Sequence, residues 1–225
     1  MSHDLAATLG RIDTWVFDLD NTLYPASANL FPQIDVRMKA FIGDLLGLDP
    51  DNAFKLQKQY YREHGTTLRG LMLNHDVEPE TFLEFVHDID HSVLAPDDEL
   101  DGLLGALPGR KLIHTNGSAR HAAEVLNALG VMERFEAIFD ISAGSYIPKP
   151  HPDSYKQFLT SHAFEPSTAI MFEDSVKNLA PAAELGMATV LVYHDSVADA
   201  EPWPEHCHFT TSDLKAWLRD ALNAL

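Results

Sequence analysis

Two carboxylates one residue apart, Asp18 and Asp20, follow directly on the apolar, β-forming run Trp15-Val16-Phe17. Such a run reads as a buried strand. Acids just past its last residue would stand at the carboxyl edge of a sheet, where open α/β folds place their ligands. Two like charges this close repel each other unless a positive group shares them. A hard divalent cation with oxygen ligands meets that need. On this stretch alone, a strand end followed by a hydrogen-bonded Asp-Asn turn is an equal alternative.

Three more stretches carry groups suited to phosphate chemistry. Thr115-Asn116-Gly117-Ser118 closes the run Lys111–His114 and leads into a helical pattern. A hydroxyl and free N–H groups at a helix N-terminus make an anion site. Glu173-Asp174-Ser175 closes another apolar run. Between them lies Pro148-Lys149-Pro150, a lysine held between two residues of fixed φ. Each piece alone has a commoner explanation: a turn, an exposed rigid loop, a helix cap with dipole-favoured acids. Their joint order, each at a strand end or in the loop beside one, is what points to a phosphate site.

The elements that must position these groups can be read from periodicity. Residues 12–18 form the first strand. From Pro25 the pattern turns helical: Ile34, Met38, Phe41, Ile42 and Leu45 recur at three- and four-residue spacing, and Gly47 is a stop. Asp49 caps and Pro50 opens a second helix to about residue 64. A short third helix covers 67–74, and Pro79 opens a fourth carrying Phe82, Phe85, Val86 and Ile89. Residues 25–94 are thus expected to be all helical. Strands at 111–115, 137–141, 169–173 and 189–193 then alternate with helices at 97–106, 118–129, 152–162, 175–185 and 212–224. That alternation implies right-handed crossovers and a parallel sheet.

A chain of 225 residues with 45% hydrophobic content can bury a sizeable core. Its formal net charge of -18 argues against nucleic acid as a partner, since phosphate contacts need clustered Lys and Arg. The same field repels a phosphorylated small molecule, so an anion site must be built locally. The single cysteine, Cys207, allows no internal disulfide. Nothing in the sequence reads as a signal peptide or a membrane span. A soluble, cytoplasmic protein is expected, with its oligomeric state open.

The four stretches together resemble the haloacid dehalogenase-like superfamily, whose members are mostly phosphatases. Asp18-Leu19-Asp20-Asn21-Thr22 looks like its first motif, Thr115 its second, Lys149 its third and Glu173-Asp174 its fourth. The resemblance implies an α/β fold: a Rossmann-like three-layer parallel-sheet core of residues 1–24 and 95–225, and an all-helical cap, residues 25–94, inserted after the first strand. Within the superfamily, Asp18 to Pro25 and Tyr60-Tyr61-Arg62-Glu63-His64-Gly65-Thr66-Thr67-Leu68-Arg69-Gly70-Leu71 look like the pyrimidine 5′-nucleotidase branch. The resemblance makes Asp18 the nucleophile, Asp20 the general acid–base, and Asp18, the Asp20 carbonyl and Asp174 the ligands of Mg²⁺. Thr115 and Lys149 complete the catalytic set, the N–H groups of Asn116 and Gly117 hold phosphate, and Glu173 and Asn178 support from behind. It implies a small phosphorylated substrate, a nucleoside monophosphate above others. Another metabolite phosphatase, a sugar-phosphate mutase and an inactive phosphate-binding module remain alternatives.

Tyr24, Thr66 and Arg69 are candidates for contacts to the leaving group, with Gly65 and Gly70 letting that segment bend. Arg62 reads as a solvated charge. His87 and His91 have metal-like spacing but lack a third ligand, and read as an exposed polar face. His114 points away from Thr115 along its strand and reads as a buried, satisfied histidine. Met171 and Met187 read as core, Arg120 as surface, and the segment around Trp203 as cover for a sheet edge or a neighbour.

Overall fold

In the computed structural model, which describes residues 4–193 and 202–225, the Trp15-Val16-Phe17 run is strand β1 (Thr14–Phe17), buried throughout. A strand buried on both faces belongs at the centre of a covered parallel sheet. β1 pairs in parallel with β2 (Arg110–His114) on one side and β4 (Ala169–Glu173) on the other. With β3 (Ala137–Phe139), β5 (Ala188–Val192) and β6 (Phe209–Thr211), the order is β3-β2-β1-β4-β5-β6, all parallel. The strand order reverses beside β1, so a crevice opens at the carboxyl ends of β1, β2 and β4.

Alternation along β1 divides the core. Trp15 and Phe17 face a layer that includes α1 (Leu5–Leu9), α6 (Asp98–Ala106), α7 (Ala119–Ala128) and α10 (Leu214–Ala224). Val16 faces the layer of α8 (Pro152–His162) and α9 (Val176–Glu184). Phe17 stacks on Phe172 of β4 at 4.6 Å, and Trp217 of α10 meets the same ring edge-on. Met171 and Met187 are buried in the α8–α9 layer, as their sequence positions suggest. Trp203 packs beside Tyr193 against that layer.

Between β1 and α6 lie α2 (Leu30–Leu46), α3 (Pro50–His64), α4 (Thr67–His75) and α5 (Pro79–Val86), around their own apolar cluster of Ile34, Ile42, Leu71, Phe82 and Val86. The Asp49 carboxylate accepts from the N–H groups of Asp51 and Asn52 and so caps α3. Gly65, at φ +85, turns the chain out of α3. Gly70 has another role than the expected bend: a Cβ there would lie 2.3 Å from the Tyr60 ring, so its absence lets α4 rest on α3.

Several boundaries differ from the sequence reading. Ile89 lies beyond α5, which ends at Val86. β3 stops at Phe139 because the Asp140 carboxylate takes bonds from Ala119, Ser142 and Ala143 and turns the chain. Helix α1 and edge strand β6 carry no periodic signal, being five and three residues long. Among the described residues no helix is long and apolar enough to cross a membrane.

Candidate active site

The carboxyl edge of the sheet brings together the residues that lie apart in the chain. Asp18 continues β1 by one hydrogen bond, from its N–H to the Phe172 carbonyl at 2.9 Å. Its Oδ1 accepts from Lys149 Nζ at 2.8 Å and its Oδ2 from Thr22 Oγ1 at 3.1 Å. Lys149 is 1% exposed and also donates to Glu173 Oε2 at 2.7 Å and to the His114 carbonyl at 2.6 Å. All three ammonium donors are therefore engaged. The loop that carries Lys149 is clamped from β2: Lys149 N–H donates to Asn116 Oδ1 at 2.8 Å, and Asn116 Nδ2 donates to the Lys149 carbonyl at 3.1 Å.

The charges here are in surplus on the negative side. Burial, then the Glu173 charge, pushes Asp18 up to about 7 despite Lys149. Burial pushes Glu173 up to about 7 and Asp174 to about 6. Burial alone would lower Lys149, but Asp18 and Glu173 outweigh it and hold the ammonium above its ordinary value. Oxygen atoms of Asp18, Glu173 and Asp174 come within 4.8 Å of one another. Three acids against one lysine leave an excess that a single hard divalent cation would offset, and every donor in the set is an oxygen. Glu173 is already occupied, its Oε2 by Lys149 and its Oε1 by the Ser175 N–H at 3.2 Å. Asp18 and Asp174 are the carboxylates that fit a cation directly, with Glu173 behind them.

Asp20 follows in the turn after β1. Its Oδ1 accepts from Tyr24 OH at 2.5 Å and from His121 Nε2 at 2.9 Å. Burial favours the neutral acid, but the His121 imidazole and these two donors prevail and hold Asp20 at about 2. Tyr24 thus braces Asp20 and lies outside the cavity lining, which corrects its expected place beside the leaving group. Burial and the Asp20 charge raise the Tyr24 hydroxyl well above its ordinary value.

Thr115, at the end of β2, is 2% exposed, and its Oγ1 accepts from the Gly117 N–H at 2.9 Å. That N–H was expected to face phosphate; here it is taken by the threonine. A Cβ on Gly117 would press to 3.2 Å from the His121 ring and 3.3 Å from Thr115 Oγ1, so a larger residue would fit only if these side chains gave way by a few tenths of an ångström. Ser118 caps α7 by accepting from the His121 N–H.

Asp18, Asp20, Thr115, Asn116, Gly117 and Lys149 line one side of a cavity of about 500 Å³. Helices α2, α3 and α5 line the other, and Thr66, Asp174 and Asn178 also border it. Thr66 caps α4 through the Arg69 N–H at 3.1 Å. Arg69 does not reach this cavity. It borders a neighbouring one of about 610 Å³, with Arg62, Asn178 and Lys177.

Two histidine readings need correction. His87 is 7% exposed, stacks on His121 at 4.5 Å and pairs with Ser118 Oγ at 2.9 Å, so it is no exposed polar face. Burial pushes it down to about 3. His91 Nε2 lies 3.2 Å from His121 Nδ1. The residue that sequence reasoning missed is His121 itself. Its signal was available: a histidine in the first turn of the helix that follows the Thr115 loop leans back toward that loop. His114 is buried as expected, with Nε2 3.0 Å from Ser154 Oγ, while Arg120 is exposed and pairs with Glu124.

Comparison with known proteins agrees with this geometry. A haloacid dehalogenase-like hydrolase family model matches residues 12–186. Phosphate metabolism protein 8 of Saccharomyces cerevisiae is 30% identical over 193 residues, which is 78% of this chain and 60% of that protein. The chain therefore spans about 60% of the length of this curated relative. The crystal structure of a HAD phosphatase from Thermococcus onnurineus superposes with a TM-score of 0.65 at 17% identity, over 95% of this chain and 99% of the other. A HAD-hydrolase from Bacillus subtilis, crystallised bound to magnesium, gives 0.60 at 14% identity, over 94% and 99%. At these identities the two structures speak to the fold.

Proposed function

The chain belongs to the haloacid dehalogenase-like hydrolase family, and from that premise we propose that it is a Mg²⁺-dependent phosphomonoesterase that forms an aspartyl-phosphate, with a nucleoside 5′-monophosphate, pyrimidine above purine, as substrate. The observation that carries this reading is the convergence of Asp18, Asp20, Thr115 and Lys149 on one cavity wall, with Asp174 beside them. The name of the yeast relative, which places it in phosphate metabolism, and the magnesium of the Bacillus protein point the same way.

In this reading an Asp18 oxygen attacks phosphorus, the ester P–O bond breaks, and the leaving oxygen takes a proton from Asp20. Asp20 then takes a proton from water, the hydroxyl oxygen attacks phosphorus, the Asp18–phosphorus bond breaks and inorganic phosphate leaves. Free Asp20 is an anion, ready for the second step. For the first, its proton enters with the monoanionic ester, and the charge of bound phosphate raises Asp20 from its resting value. Lys149 holds Asp18 in line, and the Thr115 hydroxyl and the Asn116 N–H face the phosphoryl oxygens.

A carboxylate meeting a phosphate dianion at about 4 Å is opposed by roughly 8 kcal/mol at an effective dielectric of 20. Lys149 offsets part of that. Mg²⁺, held by Asp18, Asp174 and the main-chain carbonyl of Asp20, would supply the remaining neutralisation. The helices of residues 25–94 serve as the cap that closes the cavity from above.

The test is phosphate release with Mg²⁺ from p-nitrophenyl phosphate, UMP, CMP, purine monophosphates and hexose phosphates. Release from the pyrimidine nucleotides with loss in Asp18→Asn is expected. Isomerised hexose phosphate would replace this reading with a mutase, and silence on every ester would leave a binding module.

A further inference from the structure

Opposite the sheet edge, the same cavity has an apolar wall that includes Phe31, Ile34, Phe82 and Leu83. Set into that wall is one amide, Gln57 of α3, 2% exposed. Its Nε2 donates to Asp35 Oδ1 at 2.6 Å, and Asp35 is in turn held by Lys58 Nζ, 3.1 Å from each carboxylate oxygen. The amide cannot be turned round, because its oxygen would then face the Asp35 carboxylate. The Lys58–Asp35 pair therefore fixes which end of Gln57 remains. That end, Oε1, is buried and has no hydrogen-bond partner among the described residues. A buried acceptor without a donor is costly, and a fixed one is selective for a ligand that supplies the donor.

We infer that Gln57 determines specificity for the leaving group: its Oε1 accepts a hydrogen bond from an N–H on the far edge of a flat, largely apolar body, as uracil N3–H or the cytosine amino group would supply. This rests on the reading of the Asp18 end of the cavity as the phosphoryl site. Gln57 offers only an acceptor, since its amide nitrogen is committed to Asp35. Bases are therefore distinguished by whether they present a donor, whether uracil N3–H or the cytosine amino group. Phe31 and Phe82 supply apolar surface for the body of the base. Residues of the phosphoryl site are not required for this discrimination, so it can be read with a substrate whose leaving group carries no donor.

The experiment follows hydrolysis of p-nitrophenyl phosphate by the Mg²⁺-loaded enzyme, with free nucleosides as competitors. Uridine is compared with N3-methyluridine, and cytidine with N4,N4-dimethylcytidine. Wild type should be inhibited about tenfold or more strongly by the unmethylated member of each pair. In Gln57→Leu that ratio should fall to about one, while hydrolysis of p-nitrophenyl phosphate persists. The ligand pairs test the inference on wild type even if the variant fails to fold. Equal inhibition within both pairs, a preference that survives in Gln57→Leu, or no inhibition by any nucleoside would each overturn it. In all three outcomes continued phosphate release would leave the phosphomonoesterase reading standing. Loss of that release in the wild type would instead overturn both.

Discussion

Replacing Lys149 with methionine keeps much of the side-chain volume and removes the charge, so it reports on electrostatics more than on packing. The ammonium gives all its bonds to Asp18, Glu173 and the His114 carbonyl, in a position only 1% exposed. Removing one partner of a buried ion pair costs about 3–5 kcal/mol where the groups left behind stay charged without a counterpart, and less where they can take up a proton. That cost should depend on pH in a definite direction. Asp18 and Glu173 are raised from 3.8 and 4.5 to about 7. A raised carboxyl stabilises the fold below its unfolded value, and the contribution is lost as the pH rises through its folded value. Without Lys149 both folded values rise further. Below about pH 7 the two carboxyls are then protonated in both proteins, and the deficit of the variant is flat. Above it, wild type has released its protons and the variant has not, so the deficit grows by up to about 1.4 kcal/mol per pH unit for each carboxyl. Urea unfolding in EDTA at about pH 6 and about pH 8 should thus show a gap roughly 2–3 kcal/mol wider at the higher pH. An unchanged gap, or a variant as stable as wild type at the higher pH, would refute the placement of Lys149 as the counter-charge.

Three further outcomes are expected. Because Asp18 and Asp174 are raised to about 7 and about 6, protons compete with a cation, so Mg²⁺ should raise the melting temperature near pH 8 and lose that effect near pH 5; the same gain in Asp174→Asn would contradict the ligand assignment. His121→Phe removes a donor from Asp20 while keeping a ring against His87, and should lower kcat by about 10–100-fold with little change in KM; a rise in KM at unchanged kcat would assign His121 to substrate binding. Gly70→Ala places a Cβ against the Tyr60 ring and should destabilise the protein by about 1–3 kcal/mol in urea unfolding; an unchanged midpoint would show that α3 and α4 can part without cost.

The acidic surface and the site make opposite demands, and the structure meets both locally. A net charge of -18 repels a phosphate ester at a distance. On the proposed reading, an ester at contact range would meet a buried lysine and carboxylates that resist ionisation, in a cavity floored by the ends of strands. Burial works twice here. It raises the acids, and it would strengthen every attraction that remains if a cation were bound there. The positioning is equally local: Asn116, two residues beyond β2, clamps the main chain of Lys149 on both sides.

What could be read from the chain was whatever its local chemistry imposes. Trp15-Val16-Phe17 is apolar without alternation and is the central strand; Asp49-Pro50 and Gly47 cap and stop helices where they stand. Asp18, Thr115 and Asp174 were legible because each follows directly on a strand, and parallel strands share one carboxyl edge; Lys149 was legible from the two prolines that flank it in the loop between β3 and α8. The unread parts depend on which partner a side chain meets once the chain has folded. His121 meets Asp20 across 101 positions, and Tyr24, read as a contact to the leaving group, turns inward to the same oxygen. His87, polar in a polar run, is buried only because α7 brings Ser118 and His121 up to it. Gln57 shows the limit most sharply. Nothing around it in the sequence separates it from the other polar residues of α3, Gln59 among them, which bonds to Glu63 on the helix surface. Only the approach of α2, which sets Asp35 against its amide nitrogen, turns one glutamine of the cavity wall into a fixed, buried acceptor.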